Sequence, residues 1–139
     1  MIVLDTDVVS ALMRPTRDMR LVSWFDRLPP ESMWLTAVTV YELRYGVEAL
    51  PEGRRRDELD RAINSALTDD FRGRVLPLDQ DAAAIAASLA VSRTRQGRPI
   101  EIRDTLIAGI VLSRKAELAT RNVLHFADLD IPVIDPFAE

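Results

Sequence analysis

The sequence predicts an α/β fold whose mainly parallel sheet is covered by helices on both faces. Three observations carry this prediction. Short apolar segments such as Ile2-Val3-Leu4, Met33-Trp34-Leu35 and Pro132-Val133-Ile134 recur along the chain, and longer stretches with apolar residues at helical spacing separate them. The strand-like segments are apolar throughout rather than alternating, as expected of strands buried on both faces. Finally, 47% of the 139 residues are hydrophobic, enough for one core without staples, so residues 1–139 are read as a single domain.

Ile2-Val3-Leu4 is the first strand and ends at Asp5; a helical turn over 8–13 follows and stops at Arg14-Pro15. Leu21, Trp24, Phe25 and Leu28 fall on one helical face before Pro29-Pro30. After the second strand, Met33-Trp34-Leu35, a helix opens at Thr39 with Val40, Leu43, Val47 and Leu50 in one stripe, and Pro51 interrupts it. A third helix turns Leu59, Ile63 and Leu67 inward. Val75-Leu76-Pro77-Leu78 is strand-like, and Pro77 assigns it to an edge or a strand end. Asp79 or Asp81 caps the next helix, which points Ala82, Ile85, Ala86 and Leu89 at the core and stops at Gly97 and Pro99. Residues 106–112 are apolar nearly all round and belong in the interior. Leu118-Ala119-Thr120 and Pro132-Val133-Ile134 complete the strands, and Asp135-Pro136 closes the ordered chain.

Composition narrows the function classes. With no cysteine, there is no disulfide framework, thiolate metal site or cysteine nucleophile. The first residues are strand-like rather than a leader, and no apolar run approaches the roughly 18 residues of a membrane span, so a cytoplasmic location is expected. A net charge of −4 argues against coating nucleic acid through bulk electrostatics. Every basic residue except Lys115 is arginine, whose planar fork suits phosphate oxygens, although an arginine-biased genome explains the same bias.

In open parallel sheets ligands collect beyond the carboxyl ends of the strands. That rule selects Asp5 at the end of the first strand, Glu42 in the first turn of the helix after the second, Asp104 at the start of the apolar helix, and Asn122 after Thr120-Arg121. Together they make a set of oxygen ligands for a hard cation. Each also has an ordinary reading: Asp5, Thr6 or Asp7 as a helix cap, Glu42 in a capping box with Thr39, Asp104 as a dipole-favouring acid, Asn122 as a turn residue. Glu42, Gly46 and Ala49 share one flank of their helix, which leaves a notch around the carboxylate. His125 with Phe126 reads as an aromatic turn covering the core, with a general base as the other reading. Arg54-Arg55-Arg56 reads as a solvated face, and Trp24 and Trp34 as core or interface residues.

Five stretches taken in order carry a family resemblance: Ile2-Val3-Leu4-Asp5-Thr6-Asp7-Val8-Val9-Ser10; Leu35-Thr36-Ala37-Val38-Thr39-Val40-Tyr41-Glu42-Leu43-Arg44-Tyr45-Gly46; Ile102-Arg103-Asp104-Thr105-Leu106-Ile107-Ala108; Ala119-Thr120-Arg121-Asn122; and Val133-Ile134-Asp135-Pro136-Phe137. The chain resembles a PIN-domain nuclease of the bacterial toxin type, the VapC and FitB group. The resemblance implies a PIN-like three-layer α/β/α fold. It also implies an endoribonuclease dependent on Mg²⁺ or Mn²⁺, the toxin of a type II toxin–antitoxin module, leaving 5′-phosphate and 3′-hydroxyl ends. It places the metal-binding acids at Asp5, Glu42 and Asp104 and the fourth polar position at Asn122, with Thr6, Asp7 and Thr120 as auxiliaries.

Two positions depart from the family pattern: Asp7 stands where relatives commonly carry Asn, and neutral Asn122 where many carry an acid. The resemblance further implies a cognate VapB- or FitA-like antitoxin, an RNA substrate such as transfer or ribosomal RNA, and a homodimer. Val22 and Trp24 are candidate contacts for either protein partner, or simply core residues. Two other readings stand beside this one. A PIN-like binding scaffold without strong activity is suggested by Asn122. A haloacid dehalogenase-type phosphatase is suggested by Leu4-Asp5-Thr6-Asp7, although Lys115 is the only lysine that its chemistry could use.

Overall fold

A computed structural model describes residues 1–138 of the chain. Strand β1 (Ile2–Leu4) leads into helices α1 (Thr6–Leu12) and α2 (Met19–Asp26), then β2 (Met33–Thr36), α3 (Ala37–Glu48) and α4 (Arg54–Ser65). After one π-helical turn come β3 (Val75–Leu76), α5 (Gln80–Arg95), α6 (Ile102–Arg114), β4 (Glu117–Ala119), a 3₁₀ turn (Val123–Phe126) and β5 (Val133–Ile134). The sheet has five strands in the order β3-β2-β1-β4-β5, and every pairing is parallel. The predicted class is therefore the observed one, and the Pro77 segment is the edge strand β3.

The pleat of β1 divides the core. Ile2 and Leu4 pack with Val8, Val9, Leu21, Trp24, Leu43, Val47 and Ile63, from α1 to α4 on one face. Val3 packs on the other face with Ala82 of α5 and Ile107, Ala108, Ile110 and Val111 of α6. Alternate side chains of one strand thus serve two cores, which requires the apolar run seen in the sequence. Among the described residues no helix is long and apolar enough to cross a membrane.

Helices α5 and α6 approach very closely. A Cβ built on Gly109 would lie 2.5 Å from the carbonyl oxygen of Ala82 and 2.7 Å from the Cβ of Ala86. The alanines of α5 and Gly109 of α6 are the small residues that allow this contact, and the obstacle is backbone that cannot swing aside.

Several local expectations are corrected. Helix α1 begins at Thr6, two residues early, with Asp5 as its N-cap. Helix α3 begins at Ala37, not Thr39, because the Thr36 hydroxyl accepts from the Thr39 backbone N–H at 3.1 Å and caps it. The capping box between Thr39 and Glu42 does not form, and Glu42 lies in the second turn. Asp79, not Asp81, caps α5. Trp24 is buried in the core, so it offers no partner surface. Order does not end at Asp135-Pro136: the Asp135 carboxylate accepts from the Phe137 N–H at 2.9 Å, and the Phe137 ring is buried.

Gly109→Ala is expected to lower unfolding free energy by about 1–3 kcal/mol, the usual range for overpacking. Denaturant melts with an unchanged slope would report it, whereas wild-type stability would show that α5 and α6 can separate freely.

Candidate active site

Strands β2 and β3 leave β1 on one side and β4 and β5 on the other. The carboxyl ends of β1 and β4 therefore flank the point where strand order reverses, and neighbouring connections diverge to opposite faces. Asp5 leaves β1 there and Thr120 leaves β4, joined by the bond from the Asp5 N–H to the Ala119 carbonyl, 2.9 Å.

Asp5 is 3% exposed. Its Oδ1 accepts from the Thr6 N–H at 2.8 Å, and its Oδ2 accepts from the Thr120 hydroxyl at 2.8 Å. Those two bonds do not offset its burial and the nearby charge of Asp7 and Asp104, which together push its pKa up to about 7. Burial also raises Asp7, against the lowering effect of the Arg121 N–H that donates to its Oδ2 at 3.1 Å. The other oxygen of Asp7, Oδ1, is buried without a hydrogen-bond partner. An orphaned anionic oxygen inside a crowd of carboxylates is what a cation would satisfy.

Glu42 is brought in by threonines. Its Oε1 accepts from the Thr6 hydroxyl at 2.8 Å, and Thr6 Oγ1 lies 2.9 Å from Thr39 Oγ1, so α1 and α3 are cross-linked beside Asp5. A cavity of about 570 Å³ opens next to Glu42 and Thr6, walled by Met13, Leu43, Leu59 and Ile63, with Gly46 in its lining as the helical flank predicted. Arg55, which the sequence assigned to a solvated face, also lines this cavity. Asp104 enters from the first turn of α6, and its Oδ2 lies 2.8 Å from Nδ1 of His125.

The predicted residues thus meet at one edge, with two qualifications. Among the described residues no three His, Asp or Glu side chains are grouped closely enough to hold a metal ion as they stand. Asn122 is exposed, and only its backbone is engaged: its N–H donates to the Thr120 hydroxyl at 3.0 Å and its carbonyl accepts from the His125 N–H at 3.0 Å.

Three residues beside the acids went unassigned in the sequence. His125 pairs with Asp104, although the reading favoured for its turn was a cover for the core, which Phe126 alone provides. Arg103 holds Glu101 at 2.7 Å and reaches within 3.6 Å of Glu42. The Arg121 guanidinium lies 3.7 Å from the centroid of the Phe137 ring, while its backbone touches Asp7. Residue Arg103 is adjacent to Asp104, and Arg121 to Thr120. That adjacency was the one sequence signal that could have found the two arginines.

A family model for the PIN domain matches residues 2–131. The chain belongs to the PIN-domain family. The toxin FitB of Neisseria gonorrhoeae is 36% identical to it over 137 residues, 99% of each chain. The VapC ribonuclease Y4jK of Sinorhizobium fredii is 34% identical over 137 residues, 99% of this chain and 98% of its own. Among solved structures, FitAB bound to an IR36 DNA fragment is similar at a TM-score of 0.89 and 35% identity, covering 99% of this chain and 96% of that one. A PIN domain has no use for the lysine of a dehalogenase-type phosphatase, and Lys115 caps the far end of α6, about 16 Å along its axis from Asp104.

The raised Asp5 pKa makes stability pH-dependent. Its folded value, about 7, exceeds its ordinary value of 3.8. Below about pH 4 both states hold the proton; between about 4 and 7 the folded chain keeps a proton the unfolded chain has lost. The metal-free protein should therefore lose stability as pH rises through this window, and Asp5→Asn should flatten the slope. Chemical denaturation at several pH values checks it, and equal slopes in both proteins would contradict it.

Proposed function

We propose that this PIN-domain chain is a divalent-metal-dependent endoribonuclease and the toxin of a type II toxin–antitoxin module, with Asp5, Glu42 and Asp104 as its acidic site. The observation that carries the reading is the burial of Asp5 beside the repelling carboxylates of Asp7 and Asp104, which together push Asp5 up to about 7, with an oxygen of Asp7 left orphaned next to it. Such repulsion is retained when a dication relieves it. The oxygen-only donor set fits Mg²⁺ or Mn²⁺. Ribonuclease names among the relatives support the substrate class.

When bound, the ion supplies positive charge to a phosphodiester and makes an attacking water more acidic. Asp5 and Asp104 are its principal holders in this reading, with Glu42 assisting from the Thr6 hydroxyl. Asp7 adds the carboxylate that its relatives commonly lack, and the Asn122 side chain offers a neutral amide at the rim. Thr6 and Thr120 fix Asp5 so that both of its oxygens keep their direction. Attack by water on phosphorus breaks the bond to the 3′ oxygen, leaving 5′-phosphate and 3′-hydroxyl ends. Arg103 and Arg121 stand on two sides of this acidic patch, beside Glu42 and Asp7, where they can take the phosphates flanking the cut.

The cavity beside Glu42 suits an apolar segment of a VapB- or FitA-like antitoxin, whose basic side chain would reach the acids. The similarity to FitAB on DNA supports that partner, and a homodimer and a cytoplasmic setting follow the same family reading.

Asp104→Asn should reduce RNA cleavage by at least about 100-fold, roughly 2.7 kcal/mol of transition-state stabilisation. The metal-free fold should melt no lower, since a repulsive charge is gone. Sequencing of cleaved ends with Mg²⁺ present supplies the readout; full activity in the variant would remove Asp104 from the chemistry. In that cleavage-deficient background, Arg103→Ala or Arg121→Ala should each lower the log–log salt slope of single-stranded RNA binding by about 0.7, one phosphate contact apiece. An unchanged slope would place both arginines outside the RNA path.

A further inference from the structure

Arg93 of α5 is the bulkiest of the fully buried side chains, at 1% exposure. Its Nε and Nη2 grip the two carboxylate oxygens of Asp128 at 2.8 and 2.9 Å, its Nη1 donates to the Thr105 hydroxyl at 2.9 Å, and Nη2 also donates to the His125 carbonyl at 2.7 Å. A buried ion pair is a weak source of stability, because desolvation consumes most of its attraction. Its acceptors suggest a more specific role. Thr105 follows Asp104, and the carbonyl belongs to His125, so Arg93 grips the backbone neighbourhood of both partners in the 2.8 Å contact between His125 Nδ1 and Asp104 Oδ2. The His125 side chain is 48% exposed, yet a wholly buried guanidinium pins its main chain.

We propose that Arg93 and His125 form a strut that sets the orientation of the Asp104 carboxylate, making both of them positioning residues for the reaction proposed above, on which this inference rests. A carboxylate only accepts, so the contact requires the imidazole hydrogen on Nδ1. Donation to Oδ2 fixes the carboxylate plane and keeps the other oxygen, Oδ1, out of this contact. Partners that orient a ligating carboxylate in this way commonly matter by 10–100-fold, roughly, in metal affinity or rate.

The chain contains one histidine, so its imidazole nitrogen signals are unambiguous. In the metal-free full chain, at alkaline pH where an imidazole is neutral, NMR should find the hydrogen on Nδ1. In Arg93→Met, checked for a cooperative melt, that tautomer should give way to a mixture. If Arg93→Met does not fold, Asp128→Asn loosens the same clamp and takes its place.

In cleavage assays His125→Ala should lower kcat by about tenfold with KM unchanged. His125→Asn, whose amide can stand where Nδ1 was, should recover most of that loss. The loosened clamp combined with His125→Ala should be no worse than either alone. A hydrogen on Nε2 in the unaltered protein, additive losses in the double variant, or His125→Asn as poor as His125→Ala would each overturn the strut. Asp5→Asn separates the two readings. If it cleaves RNA at the full rate, the acidic site proposed for the ribonuclease fails and the tautomer alone judges the strut. If it is inactive while His125→Ala keeps its rate, the strut fails and the ribonuclease reading stands.

Discussion

The structure depends on a carboxylate held where a carboxylate is costly. Asp5 is almost wholly buried at the end of the central strand, and its neighbours include two further acids, Asp7 and Asp104. The chain tolerates this through two directed hydrogen bonds, from the Thr6 N–H and the Thr120 hydroxyl. The first is local to the chain, but the second could not be made from a different strand order. Thr120 reaches Asp5 only because β4, distant in sequence, pairs directly with β1 in register Leu4 to Ala119.

Threonines carry much of the remaining organisation. Thr36 caps α3, Thr39 meets Thr6, and Thr6 passes a hydrogen bond on to Glu42. Small hydroxyls suit this task because they act as donor and acceptor at once and lose little side-chain entropy on being fixed. They bring the acidic site and the neighbouring cavity into one continuous surface, with Thr6 and Glu42 belonging to both. Occupation of the cavity is thereby coupled in space to the acids without any moving part.

Opposite the threonines, arginines balance the site from outside. Arg103 and Arg121 are accessible and lightly held, Arg121 against an aromatic face and Arg103 by Glu101, so both keep donors for another anion. Arg93 is the reverse case, with its guanidinium committed to Asp128, Thr105 and the His125 carbonyl. The acidic net charge of the chain thus conceals a local arrangement in which cations frame a carboxylate cluster.

Fold class, the edge position of the Pro77 strand, the interior helix and the placement of Asp5 at a strand end were readable from the sequence, because apolar periodicity and strand-end position are local properties of the chain. The start of α3 was misplaced at Thr39 since either threonine is a competent cap, and only the end of β2 selects Thr36. The contacts of His125, Arg93 and Thr120 were not readable in the sequence, although Thr120 was already a candidate auxiliary. Each depends on partners 12 to 115 residues away, at separations that no periodicity encodes. Local pattern determined which elements form and which residues carry charge. Strand pairing and helix docking decided which charges meet, because burial and proximity, the quantities that move a pKa or orphan an oxygen, exist only after the chain has folded on itself.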